Sequence, residues 1–167
     1  MKRNYVLLGT FIAMLVEAVA AQSAGQNSFD LMKALGGNWE GKNRMGDAVL
    51  VSFRVTAGGS AIMSEIQSRM KTKTEDMISM IHMDGDRLLL THYCAAGNQP
   101  RMQASLSPDG KTVNFRFLDA TNLTSPDAGH MDHVIFTLID ANHHTEEWHF
   151  ADHGKEIVQT FDLHRKS

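Results

Sequence analysis

The sequence is poor in the residues that mark several common protein classes. It has 167 residues but only one cysteine, three prolines and two tryptophans. A chain with a single cysteine forms no internal disulfide, so its stability must come from packing. The net charge is −3 and no basic stripe is present, which argues against nucleic acid as a partner.

Long apolar runs are also scarce, and the clearest one lies at the start of the chain. Residues 1–3 include two basic side chains, and residues 5–16 are almost wholly apolar. This run is about a dozen residues long, short of the roughly 20 that span a bilayer. Small residues follow at 18–21, in the order of a secretory signal peptide. We therefore predict a signal peptide and spacer at residues 1–24, export to the periplasm or medium, and no stable membrane insertion afterwards.

The remainder, residues 25–167, is predicted to be one all-β domain. A short helix is expected first, at Ser28–Leu35, with Ser28 or Asp30 as its cap and two glycines at its end. After it, runs of seven to ten residues alternate apolar and polar, separated by turn signals. About ten such strands in series most simply hide their edges by closing into an antiparallel up-and-down barrel.

The beginning of the first predicted strand carries a family resemblance. Gly37, Asn38 and Trp39 follow the helix directly. This motif resembles the Gly-x-Trp start of lipocalins and related calycin barrels, and the chain is similar to secreted lipocalin-like bacterial proteins. Its strand number also resembles the nitrobindin and fatty-acid-binding barrels. The resemblance implies that a basic residue near the end of the last strand packs over the tryptophan, and Arg165 has the position for it. Such barrels host many functions.

Successive connections in this topology alternate between the two ends of the barrel. One end receives short turns, such as 57–59 and the hairpin turn at 84–85. The other end receives the longer and less regular loops, including 96–99, 119–129 and 152–154. Binding residues concentrate on loops that a rigid scaffold holds. We therefore predict that a pocket opens at this second end.

The candidate site residues are those that this topology brings to the same mouth. Cys94 stands two residues after His92, and alternate residues share one strand face about 6.5–7 Å apart. A two-residue turn of Asp84 and Gly85 would place Met77 opposite His92. The predicted ligand-binding residues are His92, Cys94, Asn98, Gln99, Arg101, Asn122, His130, His133, Trp148 and His149.

Three functions fit such a mouth. The leading hypothesis is a binding barrel for a small, partly apolar molecule whose polar end is oriented by His92, Arg101 and His133, with no cofactor required. The second is a metal or haem site, with His92 and either His133 or His149 as ligands. Cys94 would be a further metal donor, and these donor types favour copper or zinc. The third and weakest is an enzyme that uses His92 and Cys94 with a nearby carboxylate, since no catalytic motif is present.

Each candidate also has a plain structural interpretation. For His92 it is a core histidine whose hydrogen bonds are satisfied, and for Cys94 it is inert packing; base rates favour both. Two strand registers around His133 and His149 stay open, one of which turns both side chains outward. The sequence specifies no oligomeric state. Three further histidines are predicted to be solvated turn residues: His143, His144 and His153.

Overall fold

The computed structural model describes residues 22–69 and 74–166. Within them the chain forms one α-helix followed by ten strands, and the strands close into a barrel in which neighbours are antiparallel. The predicted fold class is therefore confirmed. No helix in these residues is both long and apolar enough to cross a membrane. The predicted signal peptide falls mainly on residues 1–21, outside the described residues, and stays a prediction.

The elements follow one another with short connections, except for the longer loop between the seventh and eighth strands. They are α1 (Ala24–Ala34), β1 (Gly37–Asn43), β2 (Ala48–Thr56), β3 (Ala61–Arg69), β4 (Thr74–Asp84), β5 (Arg87–Tyr93), β6 (Gln99–Leu106), β7 (Thr112–Thr121), β8 (His130–Asp140), β9 (His143–Asp152) and β10 (Lys155–Arg165). Each strand pairs with the next, and β1 closes the ring by pairing with β10 as well as β2.

The strands turn every second side chain towards the interior, as their alternation predicts. In β2, Val49, Val51 and Phe53 are almost fully buried, whereas the residues between them are partly exposed. The same holds for Phe161 and Leu163 in β10. The inward side chains form one core cluster. Burying each large apolar side chain contributes about 1.5–3 kcal/mol.

Helix α1 begins earlier than predicted. Its cap is Ser23, whose side chain accepts a hydrogen bond from the backbone N–H of Gln26 at 3.1 Å. Ser28 lies inside the helix instead, is buried, and donates its hydroxyl to the carbonyl oxygen of Ala24. The prediction of a cap at Ser28 or Asp30 is therefore wrong, because an earlier serine already satisfies the first turn.

The apolar face of α1 closes the barrel end that carries the short turns. Phe29, Met32 and Leu35 are buried in the barrel core. The first turn of the helix lies against the β4–β5 turn, so closely that a Cβ on Gly25 would stand 2.1 Å from the carbonyl oxygen of Asp86. Only glycine allows this approach. The interior is thus left to open at the opposite end.

Arg165 joins the last strand to the helix and to the first strand. Its guanidinium carbon lies 4.2 Å from the ring centre of Trp39. The same group donates to the carbonyl oxygens of Gly36 at 2.6 Å and Ala34 at 3.0 Å. The indole N–H of Trp39 donates to the carbonyl oxygen of Leu35 at 2.7 Å. The predicted packing of Arg165 over Trp39 is confirmed, and it satisfies carbonyl groups that the end of a helix leaves without partners.

The turn of the β4–β5 hairpin lies one residue later in the sequence than predicted. Its two turn residues are Gly85 and Asp86 rather than Asp84 and Gly85. The positive φ of 58° falls on Gly85, which fits glycine as the first central residue of a type II′ turn. His92 consequently pairs with Ser79 instead of the predicted methionine. Because the residue paired with His92 changes by two positions, from Met77 to Ser79, His92 keeps its inward orientation.

Replacing Arg165 with methionine should lower the free energy of unfolding by about 3 kcal/mol, because methionine keeps contact with Trp39 but leaves the carbonyl groups unpaired. Urea unfolding followed by tryptophan fluorescence measures the change. Lys166→Met is the matched control, since Lys166 is exposed and its 3.6 Å ion pair with Glu40 contributes about 0–1 kcal/mol. Equal losses in the two variants would contradict the role of Arg165.

Candidate functional site

A cavity of about 420 Å³ opens at the end of the barrel opposite to α1, the end where the sequence places the pocket. Most of its wall is apolar, and its polar groups are one carboxylate, one thiol and one amide. Its lining residues are Glu75, Met77, Cys94, Ala95, Ala96, Met131, Phe150, Ile157 and Gln159. They come from β4, β8, β9, β10 and the segment that follows β5. The cavity therefore lies within the barrel mouth and not on its outer wall.

Cys94 lines this cavity as a half-buried free thiol. Burial raises the pKa of the Cys94 thiol above its ordinary value of 9.0, and the negative charge of Glu75 raises it further. Hydrogen bonds from the backbone N–H groups of Ala96 and Ala95 act in the opposite direction. The net effect keeps Cys94 neutral at physiological pH, and a neutral thiol is a poor nucleophile.

His92 lies one inward position deeper than Cys94 and is fully buried. Its Nδ1 is 2.9 Å from the hydroxyl oxygen of Ser79, and its ring centre is 4.9 Å from that of Trp148. Burial lowers the pKa of His92 to about 4, so the ring is neutral at physiological pH. Its Nε2 has no hydrogen-bond partner among the described residues. An unpaired buried polar atom costs about 1–3 kcal/mol, which a bound group at this nitrogen would recover.

A buried polar network next to His92 was not predicted. Glu146 is fully buried, accepts a hydrogen bond from the indole N–H of Trp148 at 2.8 Å, and lies 3.1 Å from Nε2 of His144. The prediction that His144 is a solvated turn residue is wrong, because β9 begins at His143 and turns His144 inward. The period-two spacing of residues 144, 146 and 148 places them on one strand face, which is the signal that links His144 and Glu146 to Trp148.

The loops at the mouth are tied to one another by side-chain amides. Asn98 is buried and donates through its Nδ2 to the carbonyl oxygen of Gly129 at 2.7 Å. Asn122 donates in the same way to the carbonyl oxygen of Gly97 at 2.7 Å, with a positive φ of 56°. These two bonds fasten the loop at 94–98 to the long loop that precedes β8. Asn98 and Asn122 therefore hold the rim in shape and do not line the cavity.

Gln99 and His130 are held in the rim in a similar manner. Gln99 accepts a hydrogen bond through its side-chain oxygen from the hydroxyl of Thr121 at 2.7 Å. His130 is buried, with its ring centre 4.6 Å from that of Phe117 and its Nδ1 2.7 Å from a loop carbonyl oxygen. Both side chains have partners within the protein. Neither lines the cavity wall.

Arg101 points away from the cavity. Its neighbours Pro100 and Met102 are buried, so the strand turns Arg101 to the outer face. There its guanidinium forms a bidentate ion pair with Asp119, in which Nε donates to Oδ1 at 2.6 Å. The prediction that Arg101 orients a ligand inside the mouth does not agree with this orientation.

His133 and His149 also lie on the outer face, across β8 and β9 from each other. Their rings stack with centres 3.7 Å apart. A bulge at Asp132 shifts the register, so that Met131 faces inward on one side of it and His133 faces outward on the other. Trp148, the neighbour of His149, faces inward. The two histidines and His92 therefore stand on opposite sides of the barrel wall and do not form one metal centre in this structure.

Comparison with known proteins supports the fold. No family model and no curated protein matches the chain. The crystal structure of Rv2717c from M. tuberculosis aligns with a TM-score of 0.61 at 15% identity, over 84% of this chain and 98% of that protein. A DUF3598 protein of unknown function from Nostoc punctiforme aligns with a TM-score of 0.54 at 14% identity, over 81% of this chain and 49% of that protein, so this chain spans about half of it. At these identities both likenesses bear on the fold alone.

The neutral state of His92 predicts that acid weakens the fold. The ordinary pKa of histidine is 6.5 and that of folded His92 is about 4, so the unfolded chain binds the extra proton between these values. Stability therefore falls as the pH drops from 6.5 to 4, by up to about 3 kcal/mol from this group. Urea unfolding at pH 7 and pH 4.5 measures the difference. His92→Gln should reduce it, whereas His164→Gln, on the exposed surface, should leave it unchanged; an unaltered difference in His92→Gln contradicts the assignment.

The raised pKa of Cys94 predicts low thiol reactivity. At pH 7 the thiol should react with 5,5′-dithiobis(2-nitrobenzoate) at least about tenfold more slowly than free cysteine, and the rate should still be rising above pH 9. Following the reaction by absorbance gives a trace that is simple to interpret, because the chain has one cysteine. Glu75→Gln removes a charge that disfavours the thiolate, so it should speed the reaction. A fast reaction at pH 7 that Glu75→Gln leaves unchanged would count against this description.

Proposed function

We propose that this protein binds a small, partly apolar molecule in the mouth cavity. The observation that carries the proposal is a preformed, mostly apolar cavity of about 420 Å³ at the one barrel end that α1 leaves uncovered. Ligand sites generally measure about 300–1,000 Å³ and combine apolar walls with a few placed polar groups. The hydrogen bonds that the side-chain amides of Asn98 and Asn122 donate stiffen the rim, which reduces the entropy lost on binding.

The polar groups of the cavity indicate the character of the ligand. Glu75 supplies a carboxylate and Gln159 an amide, while Cys94 supplies a neutral thiol. Arg101, the cation that would have attracted an anionic ligand, is engaged with Asp119 on the outer face. The carboxylate oxygens of Glu75 accept hydrogen bonds, so they favour a ligand that donates one. The ligand is therefore a molecule with an apolar body and an O–H or N–H group.

The protonation states of His92 and Cys94 make catalysis by these two residues the weakest candidate. Nucleophilic catalysis by a cysteine needs a thiolate, usually formed by an adjacent histidine. Burial raises the pKa of Cys94 and lowers that of His92, which favours the neutral form of both groups. Nδ1 of His92 is also engaged with Ser79. These conditions suit binding better than acid–base chemistry.

A metal or haem bound through His92 is the second candidate, because Nε2 of His92 is buried and has no partner in the described part of the chain. A hemin titration followed by visible absorption tests it. A Soret shift that is present in the wild type and lost in His92→Gln would favour haem. An identical spectrum in both proteins would remove His92 as an iron ligand.

Binding of N-phenyl-1-naphthylamine, a neutral aromatic amine with one N–H group, tests the proposed function by its fluorescence increase. Ala96→Trp places a large ring at the mouth and should weaken binding by at least about tenfold. Ala141→Trp is the matched control, since Ala141 lies in the β8–β9 turn at the covered end. Equal binding by both variants, or no binding by the wild type, would reject the mouth as a ligand site.

A further inference from the structure

Three side chains of the kinds that bind transition metals lie together on the outer wall of the barrel. His133 is on β8, His149 on β9 and Glu156 on β10, so each comes from a different strand. One ligand atom from each residue lies within 4.8 Å of the others. Two imidazoles and one carboxylate are the donor set of many three-ligand zinc sites, in which water takes the fourth position.

The sheet fixes the positions of these residues. His133 and His149 are directly paired across β8 and β9, and their rings stack with centres 3.7 Å apart. Glu156 reaches His149 from β10, with its Oε1 2.9 Å from Nδ1 of His149. Ligand atoms of a tetrahedral zinc site stand roughly 3.3 Å apart, given bonds of about 2.0–2.1 Å. The pair of His149 and Glu156 is near this spacing, and all three ligand atoms lie within 4.8 Å of one another. One imidazole would have to rotate out of the stack for both rings to reach a common ion.

A further carboxylate orients the imidazole of His133. Oδ2 of Asp132 lies 2.9 Å from Nδ1 of His133, which leaves Nε2 of His133 to bind a metal. A carboxylate on the second ring nitrogen is the usual device that fixes a histidine ligand and increases its basicity. Asp132 is thus a positioning residue. Oε2 of Glu147 lies 3.9 Å from Nε2 of His149, beyond hydrogen-bond distance, so Glu147 contributes its negative charge only.

Burial and charge also favour a cation here. The side chains of His133 and His149 are only 12% and 14% exposed although they face outward. Three carboxylates surround the two imidazoles, while Arg116 is the cation opposite His133 on β7. The surroundings therefore carry a net negative charge at neutral pH.

We propose that His133, His149 and Glu156 bind a zinc ion on the outer wall of the barrel. The site is independent of the mouth cavity, because His149 faces outward between Trp148 and Phe150, which face inward. It also differs from a centre that includes His92, which lies on the other side of the wall. Zinc is the ion to test first, because two imidazoles and one carboxylate are a common zinc donor set. Copper(II) and nickel(II) suit the same imidazole donors.

The chain contains a matched control for this site. His143 and His164 form a second stacked pair across β9 and β10, with ring centres 4.2 Å apart and Asp162 beside them. Here His164 is 63% exposed and the imidazole partners share a single carboxylate, Asp162. A chance affinity of surface histidines for zinc would therefore appear at both pairs.

Isothermal titration of the purified protein with zinc chloride tests the proposal. We expect one zinc per chain, and at least about tenfold weaker binding in His133→Asn, in Glu156→Gln and in the positioning variant Asp132→Asn. His143→Asn and Asp162→Asn should bind zinc as the wild type does. The visible spectrum of the cobalt(II) form gives a second measurement, because tetrahedral cobalt absorbs strongly only when its ligands are in place.

Each possible result of the zinc titration either supports or overturns the proposed site. Absence of zinc binding, or binding that the His133 and Glu156 variants leave unchanged, overturns the proposal. Equal weakening in the control variants also overturns it, because zinc would then be held by surface histidines in general. Glu156 is exposed, so Glu156→Gln is expected to fold, and far-ultraviolet circular dichroism checks this. Failure of amine binding at the mouth would leave the zinc result unaffected, which keeps the two proposals separable.

Discussion

The contact of Arg165 with Trp39 is the interaction on which the closure of the barrel depends. A closed barrel requires its first and last strands to pair, and these strands are the furthest apart in the sequence. Arg165 links the end of β10 to Trp39 in β1 and to the carbonyl groups at the end of α1. At the same seam a Cβ on Gly41 would stand 1.8 Å from the carbonyl oxygen of Asp162. Close backbone approach and the arginine contacts thus place strand pairing and helix docking at the same seam.

A chain of contacts runs from this seam to the candidate binding site. The ring of Trp39 meets His144 edge-on at 4.3 Å, and His144 lies 3.1 Å from Glu146. Glu146 accepts from Trp148 at 2.8 Å, and the Trp148 ring is 4.9 Å from that of His92. Burying a carboxylate is costly unless it is fully paired, so this network fixes the inner side chains in one arrangement. The geometry at the mouth therefore depends on closure at the far end.

The barrel wall separates two kinds of chemistry that the sequence places side by side. Along β9, Trp148 belongs to the interior and His149 to the outer wall, and in β8 the bulge at Asp132 separates Met131 from His133 in the same way. The mouth keeps a mostly apolar cavity with one carboxylate, one thiol and one amide, whereas the outer wall collects imidazoles and carboxylates. Two binding properties can thus coexist without sharing a residue, since β-strands offer two independent faces.

The sequence by itself determined the strands, the barrel and the end at which long loops gather, because period-two alternation and turn residues act locally. It also indicated that Arg165 packs over Trp39, through the resemblance to calycin barrels. Only the tertiary structure decided which face each polar side chain takes. The outward orientation of His133 depends on a bulge, and the burial of His144 depends on where β9 begins. A shift of one residue reverses every side chain of a strand, and pairing with distant strands sets that shift.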